Sequence, residues 1–227
     1  MNHDVVLHQW EISPFCQKVA KALHHKGIAF DTVNYNGALG AKVMGLSKVG
    51  KLPVLDMNGQ RIQDSTRIAR YLDDTYPDLP RLYPLDTQQK ALVELWEDWS
   101  DELLYFYEGY FRVNDPVALD AAVAVSSAGR PAFERRILKP LFKATLSIQV
   151  FMQGTGRMAK ADIEAEFLRH LDRINLVLST TGWLVGSEKT IADMAVGAQL
   201  AEVVRTSDAM RPQVLSRPHI AQWLQTL

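Results

Sequence analysis

Ser13-Pro14-Phe15-Cys16-Gln17-Lys18-Val19-Ala20-Lys21-Ala22-Leu23 is the stretch on which the fold turns. The apolar run Val5-Val6-Leu7 just before it reads as a short buried strand. Ser13 then takes the N-cap of a helix and Pro14 its first position, where a missing N–H costs nothing. Val19, Ala22 and Leu23 recur at helical spacing. Gly27 follows the last turn as a stop, with His24, His25 and Lys26 placed at the negative helix end. Ser13 therefore stands where a strand hands over to a helix N-terminus. Free N–H groups and a positive dipole end at such a place suit a thiolate or a carboxylate. Taken alone, the stretch reads first as an ordinary N-cap serine.

Composition bounds what surrounds this junction. The chain has 227 residues, 47% hydrophobic and 22% charged, enough for one large or two small domains. A formal net charge of -1 argues against nucleic acid and against an anionic membrane surface as partners. No run approaches the ~18 apolar residues of a membrane span. The opening Met1-Asn2-His3-Asp4 lacks a basic region followed by an apolar one, so no leader is expected. Cys16 is the single cysteine, which excludes an intrachain disulfide and suggests a reducing, cytoplasmic setting. The six histidines show no ligand spacing, and no metal is expected.

Working outward along the chain, Phe30 to Asn34 reads as a second strand and 41–47 as a short, poor helix. Gly50-Lys51-Leu52-Pro53-Val54-Leu55-Asp56-Met57 is a strand entered through a proline. Asn58-Gly59 is a strong two-residue hairpin signal, with Gln60 to Gln63 as the return strand. Asp64-Ser65 then caps a helix with Ile68, Ala69, Tyr71 and Leu72 on one side. Pro77, Pro80 and Pro84 mark a linker, and 1–77 and 85–227 are expected as domains joined by 78–84. Everything beyond reads as helix. Leu92, Trp96, Trp99, Leu103, Phe106 and Tyr110 are spaced for one long amphipathic helix over 87–113. Further helices are expected near 117–126, 131–153, 160–180, 190–206 and 216–226. The acidic cluster Glu94, Glu97, Asp98, Asp101, Glu102 and the basic cluster Arg130, Arg135, Arg136, Lys139, Lys143 read as solvated helix faces. Thr190-x-x-Asp193 has the spacing of a capping box, a folding role.

Four pieces now stand in a fixed order: Ser13-Pro14-Phe15-Cys16, then Gly50-Lys51-Leu52-Pro53-Val54-Leu55, then Asp64-Ser65-Thr66-Arg67-Ile68-Ala69-Arg70-Tyr71-Leu72. Last come Trp183-Leu184-Val185-Gly186 and Thr190-Ile191-Ala192-Asp193. Together they resemble the cytosolic glutathione S-transferase superfamily, of a serine-type, bacterial-like kind with no class assigned. The resemblance implies an α/β thioredoxin-like N-terminal domain on an all-α C-terminal helical bundle. It implies a cis Leu52-Pro53 bond that presents the Leu52 backbone to an extended peptide, which would pair as an added strand.

The same resemblance implies the chemistry. Glutathione would bind as co-substrate through Ser13, Phe15, Lys51, Leu52, Pro53, Asp64 and Ser65. Ser13 would stabilise its thiolate, Asp64 and Ser65 would hold the γ-glutamyl amine and carboxylate, and Lys51 or Lys42 the glycyl carboxylate. Trp10, Tyr105, Phe106 and Tyr110 would face a small hydrophobic electrophile, although an aromatic stripe at helical spacing is also what a core needs. The family more often carries Glu at the place of Asp64. A homodimer meeting through the helix near 65–75 and the helix 87–113 is expected, with detoxification in the cytoplasm as the role and no nucleic acid or membrane as partner. Two alternatives stay open: a glutathione-dependent thiol reductase or peroxidase working through Cys16, and a non-catalytic binding module.

Overall fold

The structure, a computed structural model, describes residues 4–227. Met1, Asn2 and His3, part of the opening read for a leader, lie outside the described residues. Strand β1 (Val5–Gln9) leads into helix α1 (Pro14–His25), and strand β2 (Asp31–Asn34) returns parallel to β1. After a 3₁₀ turn (Gly37–Lys42) and the single-turn helix α2 (Val43–Leu46), strands β3 (Val54–Met57) and β4 (Gln60–Gln63) form the expected Asn58-Gly59 hairpin. Helix α3 (Ser65–Thr75) closes the unit. The sheet order is β2-β1-β3-β4, with β1–β3 and β3–β4 antiparallel. β3 is shorter than the predicted 50–57: Gly50 has φ +64° and Leu52-Pro53 is cis, so neither belongs to a regular strand.

Residues 76–86 carry no helix or strand. Helix α4 (Thr87–Trp99) then passes through a π-helical turn (Ser100–Leu104) into α5 (Tyr105–Asn114). Helices α6 (Pro116–Ser126), α7 (Ala132–Gln153), α8 (Lys160–Thr181) and α9 (Ile191–Thr206) follow. The expected last helix over 216–226 is α11 (Pro218–Leu224), which Pro218 starts after the extended Arg217, and a short helix that was not expected, α10 (Arg211–Leu215), precedes it. No helix among the described residues is long and apolar enough to cross a membrane. The whole is a small mixed four-stranded sheet unit joined to a helical region.

One core runs through both parts. Val19, Ala22 and Leu23 of α1 join Leu7 and Leu55 of the sheet and Ile68 and Leu72 of α3, and the cluster continues through Val196 and Leu200 of α9. At the C-terminal end of α1, Lys26 does not face solvent: it is buried, ion-paired with Asp73 at 2.8 Å and bonded to the Tyr76 carbonyl.

The long helical stretch is turned from its expected orientation. The buried row runs Val93, Glu97, Ser100, Leu104, Tyr107 and Phe111, one residue on from Leu92, Trp96, Trp99, Leu103 and Phe106, while Tyr110 at the end of the expected row is buried as well. Leu92 is exposed, and Trp96, Trp99, Leu103 and Phe106 are half-buried. The reason is a polar contact. Lys18, on the inner side of α1, donates to Glu97 Oε1 at 3.0 Å and Asp101 Oδ2 at 2.8 Å. Tyr83 donates to the other Glu97 oxygen at 2.8 Å, and the Thr66 hydroxyl to Oε1 at 2.9 Å. A buried carboxylate needs such partners, and with them it takes a core position. The acidic cluster is thus not a plain solvated face: Glu97 and Lys18 are each only 1% exposed. Burial pushes the Asp101 carboxyl up to about 6, against the opposing pull of Lys18.

Candidate functional site

Strand register brings the three N-terminal motifs to one edge of the sheet. His8, one residue from the end of β1, pairs with Val54, the first residue of β3, which pairs with Gln63, the last of β4. The turn carrying Ser13, the Leu52-Pro53 bend and the Asp64-Ser65 helix start therefore leave the sheet side by side. Ser13 closes a turn by donating its N–H to the Trp10 carbonyl at 3.0 Å, and its Oγ accepts from the Cys16 N–H at 3.4 Å as the N-cap of α1. Cys16 lies beneath it with no exposed surface, packed with Val43, Leu52 and Val54. Burial pushes its thiol up to about 11, with Ser13 and the Trp10 backbone pulling weakly the other way. Cys16 is therefore part of the floor, as a protonated apolar filler.

Beside this floor, the Leu52-Pro53 peptide bond is cis. Neither the N–H nor the C=O of Leu52 has a hydrogen-bond partner among the described residues. Asp64 caps α3: its Oδ1 accepts the N–H groups of Thr66 and Arg67, both at 3.1 Å, and its φ is +79°. The same carboxylate expected to hold an amine thus already serves its own helix through one oxygen, leaving Oδ2 free among the described residues. Ser65 is buried at the N-terminal end of α3, and its hydroxyl has no partner among the described residues. Lys51 and Lys42 are both exposed, their ammonium groups unpaired among the described residues.

The aromatic candidates separate. Phe15 meets Tyr105 at a tilt with ring centroids 5.2 Å apart, and Tyr105 meets Phe106 edge-on at 5.4 Å, so these three form a wall beside the Ser13 turn. The Tyr105 hydroxyl donates to Gln149 Oε1 at 3.3 Å. Trp10 is exposed, its indole N–H bonded to the Tyr35 carbonyl at 2.6 Å. Tyr110 does not join them: it is buried in the main core against Phe111.

Residues missed from the sequence hold the turn from behind. Arg112 of α5 donates to the Ile12 carbonyl at 3.2 Å, and Arg205 of α9 to the Glu11 carbonyl at 3.1 Å. Glu202 accepts from Arg112 at 3.0 Å and from Arg205 at 2.6 Å, and Glu108 pairs with Arg112. Two guanidinium groups from the helical part thus fix the two carbonyls that precede Ser13. The only sequence signal was a charged pair, Glu108 and Arg112, at i,i+4 in an otherwise apolar helix.

Burial pushes the Glu108 carboxyl up to about 8, with Arg112 opposing and Glu202 adding to the rise. A carboxyl raised in the folded state binds its proton more tightly there than in the unfolded chain. Its contribution to stability is then complete at low pH and is lost as pH climbs from about 4.5 to 8. Urea unfolding at pH 6 and at pH 8.5 is expected to show the wild type losing on the order of 1–2 kcal/mol more than Glu108→Gln. Equal losses in the two proteins contradict the assignment.

Comparison with known proteins gives the following. Residues 7–80 match the family model described as glutathione S-transferase, N-terminal domain. Glutathione S-transferase U28 of Arabidopsis thaliana is 30% identical over 112 residues, 48% of this chain and 49% of that protein. Glutathione S-transferase U7 of the same plant is 33% identical over 99 residues, 41% of each. The chain spans about half the length of the curated relatives it matches. Among solved structures, the beta-etherase LigF from Sphingobium sp. strain SYK-6 superposes with a TM-score of 0.72 at 18% identity, over 99% of this chain and 94% of that one. Rice GST1 in complex with glutathione superposes at 0.62 and 18% identity, over 100% and 88%. At these identities the solved structures share the fold.

Proposed function

We propose that this chain, whose residues 7–80 match the glutathione S-transferase N-terminal domain and whose fold is shared with glutathione transferases, is a glutathione transferase of the cytosolic superfamily. It adds the thiolate of glutathione to a small hydrophobic electrophile. The observation that carries this reading is the register row His8–Val54–Gln63, which sets the Ser13 turn, the unpaired Leu52 backbone and the α3 N-terminus along one edge. An extended tripeptide laid there pairs its backbone with Leu52. Its γ-glutamyl carboxylate meets the Ser65 hydroxyl and the positive end of α3, and its ammonium meets Asp64 Oδ2. Lys51, or Lys42, takes the glycyl carboxylate. Ser13 donates to the thiolate, and the Phe15–Tyr105–Phe106 wall, with Trp10 at its margin, receives the electrophile. The domains of this reading are 1–77 and 85–227, its setting the cytoplasm, its role the clearance of reactive electrophiles, and its form a homodimer. The buried, raised Cys16 thiol speaks against the thiol-reductase alternative, because the thiolate is the nucleophile in such exchange.

Calorimetry with reduced glutathione tests the site. Asp64→Asn keeps an oxygen that caps α3 and removes the charge that faces the ammonium. It is expected to weaken glutathione more than about tenfold, since a buried ligand charge loses its partner. Unchanged affinity, or no binding by the wild type, sinks the assignment.

A further inference from the structure

Three carbonyls lead into Ser13, and each is held differently. The Trp10 carbonyl accepts the Ser13 N–H at 3.0 Å, which closes the turn. The Glu11 carbonyl has two partners, the Gln17 side chain at 2.9 Å and Arg205 at 3.1 Å. The Ile12 carbonyl has one among the described residues, Arg112 at 3.2 Å. Ile12 and Arg112 are both buried, so bulk water does not stand in for that bond.

The Ile12–Ser13 peptide is thereby held at both ends. Its C=O points back to Arg112 and its N–H crosses the turn to Trp10. A peptide unit is planar, so two such bonds set where the Ser13 Cα stands and how its side chain leaves the chain. Ser13 Oγ then accepts the Cys16 N–H at 3.4 Å, which uses one lone pair and leaves the hydroxyl proton to donate. Arg112 is itself locked in place: Glu202 of α9 accepts from it at 3.0 Å, and Glu108 pairs with it from one turn earlier on α5. A planar guanidinium serves a carbonyl and two carboxylates at once, where an ammonium is a single point charge.

We infer that Arg112 is a positioning residue for the proposed reaction: through the Ile12 carbonyl it aims the Ser13 hydroxyl at the glutathione sulfur. The inference rests on the glutathione-transferase reading of the site and adds a residue 100 positions along the chain from the carbonyl it holds. Aim matters because a hydrogen bond weakens steeply with angle, and a misplacement of ~1 Å costs up to about 100-fold in rate. Arg205 matters less, because Gln17 also holds its carbonyl.

Three variants of the full-length protein test this. The readouts are the pH midpoint of bound glutathione thiolate absorbance, steady-state kinetics, melting temperature and hydrogen exchange of the Ser13 amide in the ligand-free protein. Arg112→Met is expected to raise the midpoint by about one unit and lower kcat about tenfold, with KM for glutathione within about twofold. Its Ser13 amide is expected to exchange faster. Arg112→Lys keeps a cation beside Glu202. It is expected to recover most of the melting temperature while the midpoint stays raised, and it carries the test if the Met variant does not fold. Lys26→Met strips a similarly buried cation from the other end of α1, where it pairs with Asp73. That control is expected to lose comparable melting temperature with the midpoint and Ser13 exchange of the wild type. An Arg112→Lys midpoint equal to that of the wild type assigns the effect to charge and overturns the inference. A midpoint that Lys26→Met raises as far as Arg112→Met overturns it as well. In both cases the wild type still holds glutathione as thiolate, and the reading of the site survives. A wild type that leaves the glutathione thiol unperturbed overturns that reading and the inference together.

Discussion

Replacing Asp193 by alanine is expected to lower the unfolding free energy by about 3–5 kcal/mol, the cost of stripping a buried polar network of its acceptor. The carboxylate has no exposed surface. Its Oδ2 accepts the backbone N–H of Thr190 at 2.9 Å and the Thr190 hydroxyl at 3.1 Å. Its Oδ1 accepts the Leu184 N–H at 3.0 Å and the Trp223 indole N–H at 3.1 Å. One side chain thus satisfies the start of α9, the loop before it and the C-terminal helix α11. A local helix cap is worth on the order of 1 kcal/mol, and here alanine also leaves three buried N–H groups without a partner. Burial pushes the carboxyl pKa upward, and four donors hold it in place. Asp193→Asn should recover part of the loss, because an amide accepts at only one of the two positions. Chemical denaturation measures both. A loss near 1 kcal/mol for the alanine variant would reduce Asp193 to a simple cap.

Ser13→Ala is expected to lower kcat/KM for conjugation by about 10- to 100-fold, the loss of one charge-assisted hydrogen bond of ~1.5–3 kcal/mol. Glutathione affinity should barely change, because the thiol is a small part of the tripeptide. Ser13 is half-buried at the N-cap of α1, at the site edge, while Cys16 is fully buried below it. In the proposed pose only Ser13 would meet a thiol lying along Leu52 without unwinding α1. Cys16→Ser should leave turnover nearly intact and cost some stability, since it puts a hydroxyl among Val43, Leu52 and Val54. If steady-state kinetics show Cys16→Ser inactive and Ser13→Ala unchanged, the chemistry is thiol exchange through Cys16.

Much of the fold was legible because its signals are local. The Ser13-Pro14 helix start, the Asn58-Gly59 hairpin, the Asp64 cap and the Thr190–Asp193 spacing each depend on a few adjacent residues, and each stands in the structure. The orientation of α4 and α5 was not legible. Apolar periodicity favoured the Leu92–Trp96–Trp99 side, yet the neighbouring Val93–Glu97–Ser100 side is buried. Glu97 turns inward because Lys18, 79 residues earlier, meets it there, and a polar residue betrays no such partner in sequence. Lys18 on the inner side of α1 was the one hint. The site divides the same way. Ser13, Leu52, Asp64 and Ser65 stand in local motifs and can be proposed from sequence, whereas Arg112 and Arg205 were hidden because they act on backbone carbonyls from far along the chain.

The pH titration of glutathione thiolate absorbance on the protein tests the central claim most directly. A free thiol has a pKa of ~8.5, and a serine hydrogen bond of ~1.5–3 kcal/mol lowers it by roughly one to two units. The wild type is expected to hold bound glutathione mostly as thiolate at neutral pH, and Ser13→Ala to return the midpoint toward that of the free thiol. A wild-type midpoint equal to that of free glutathione, or one that Ser13→Ala leaves in place, contradicts the account.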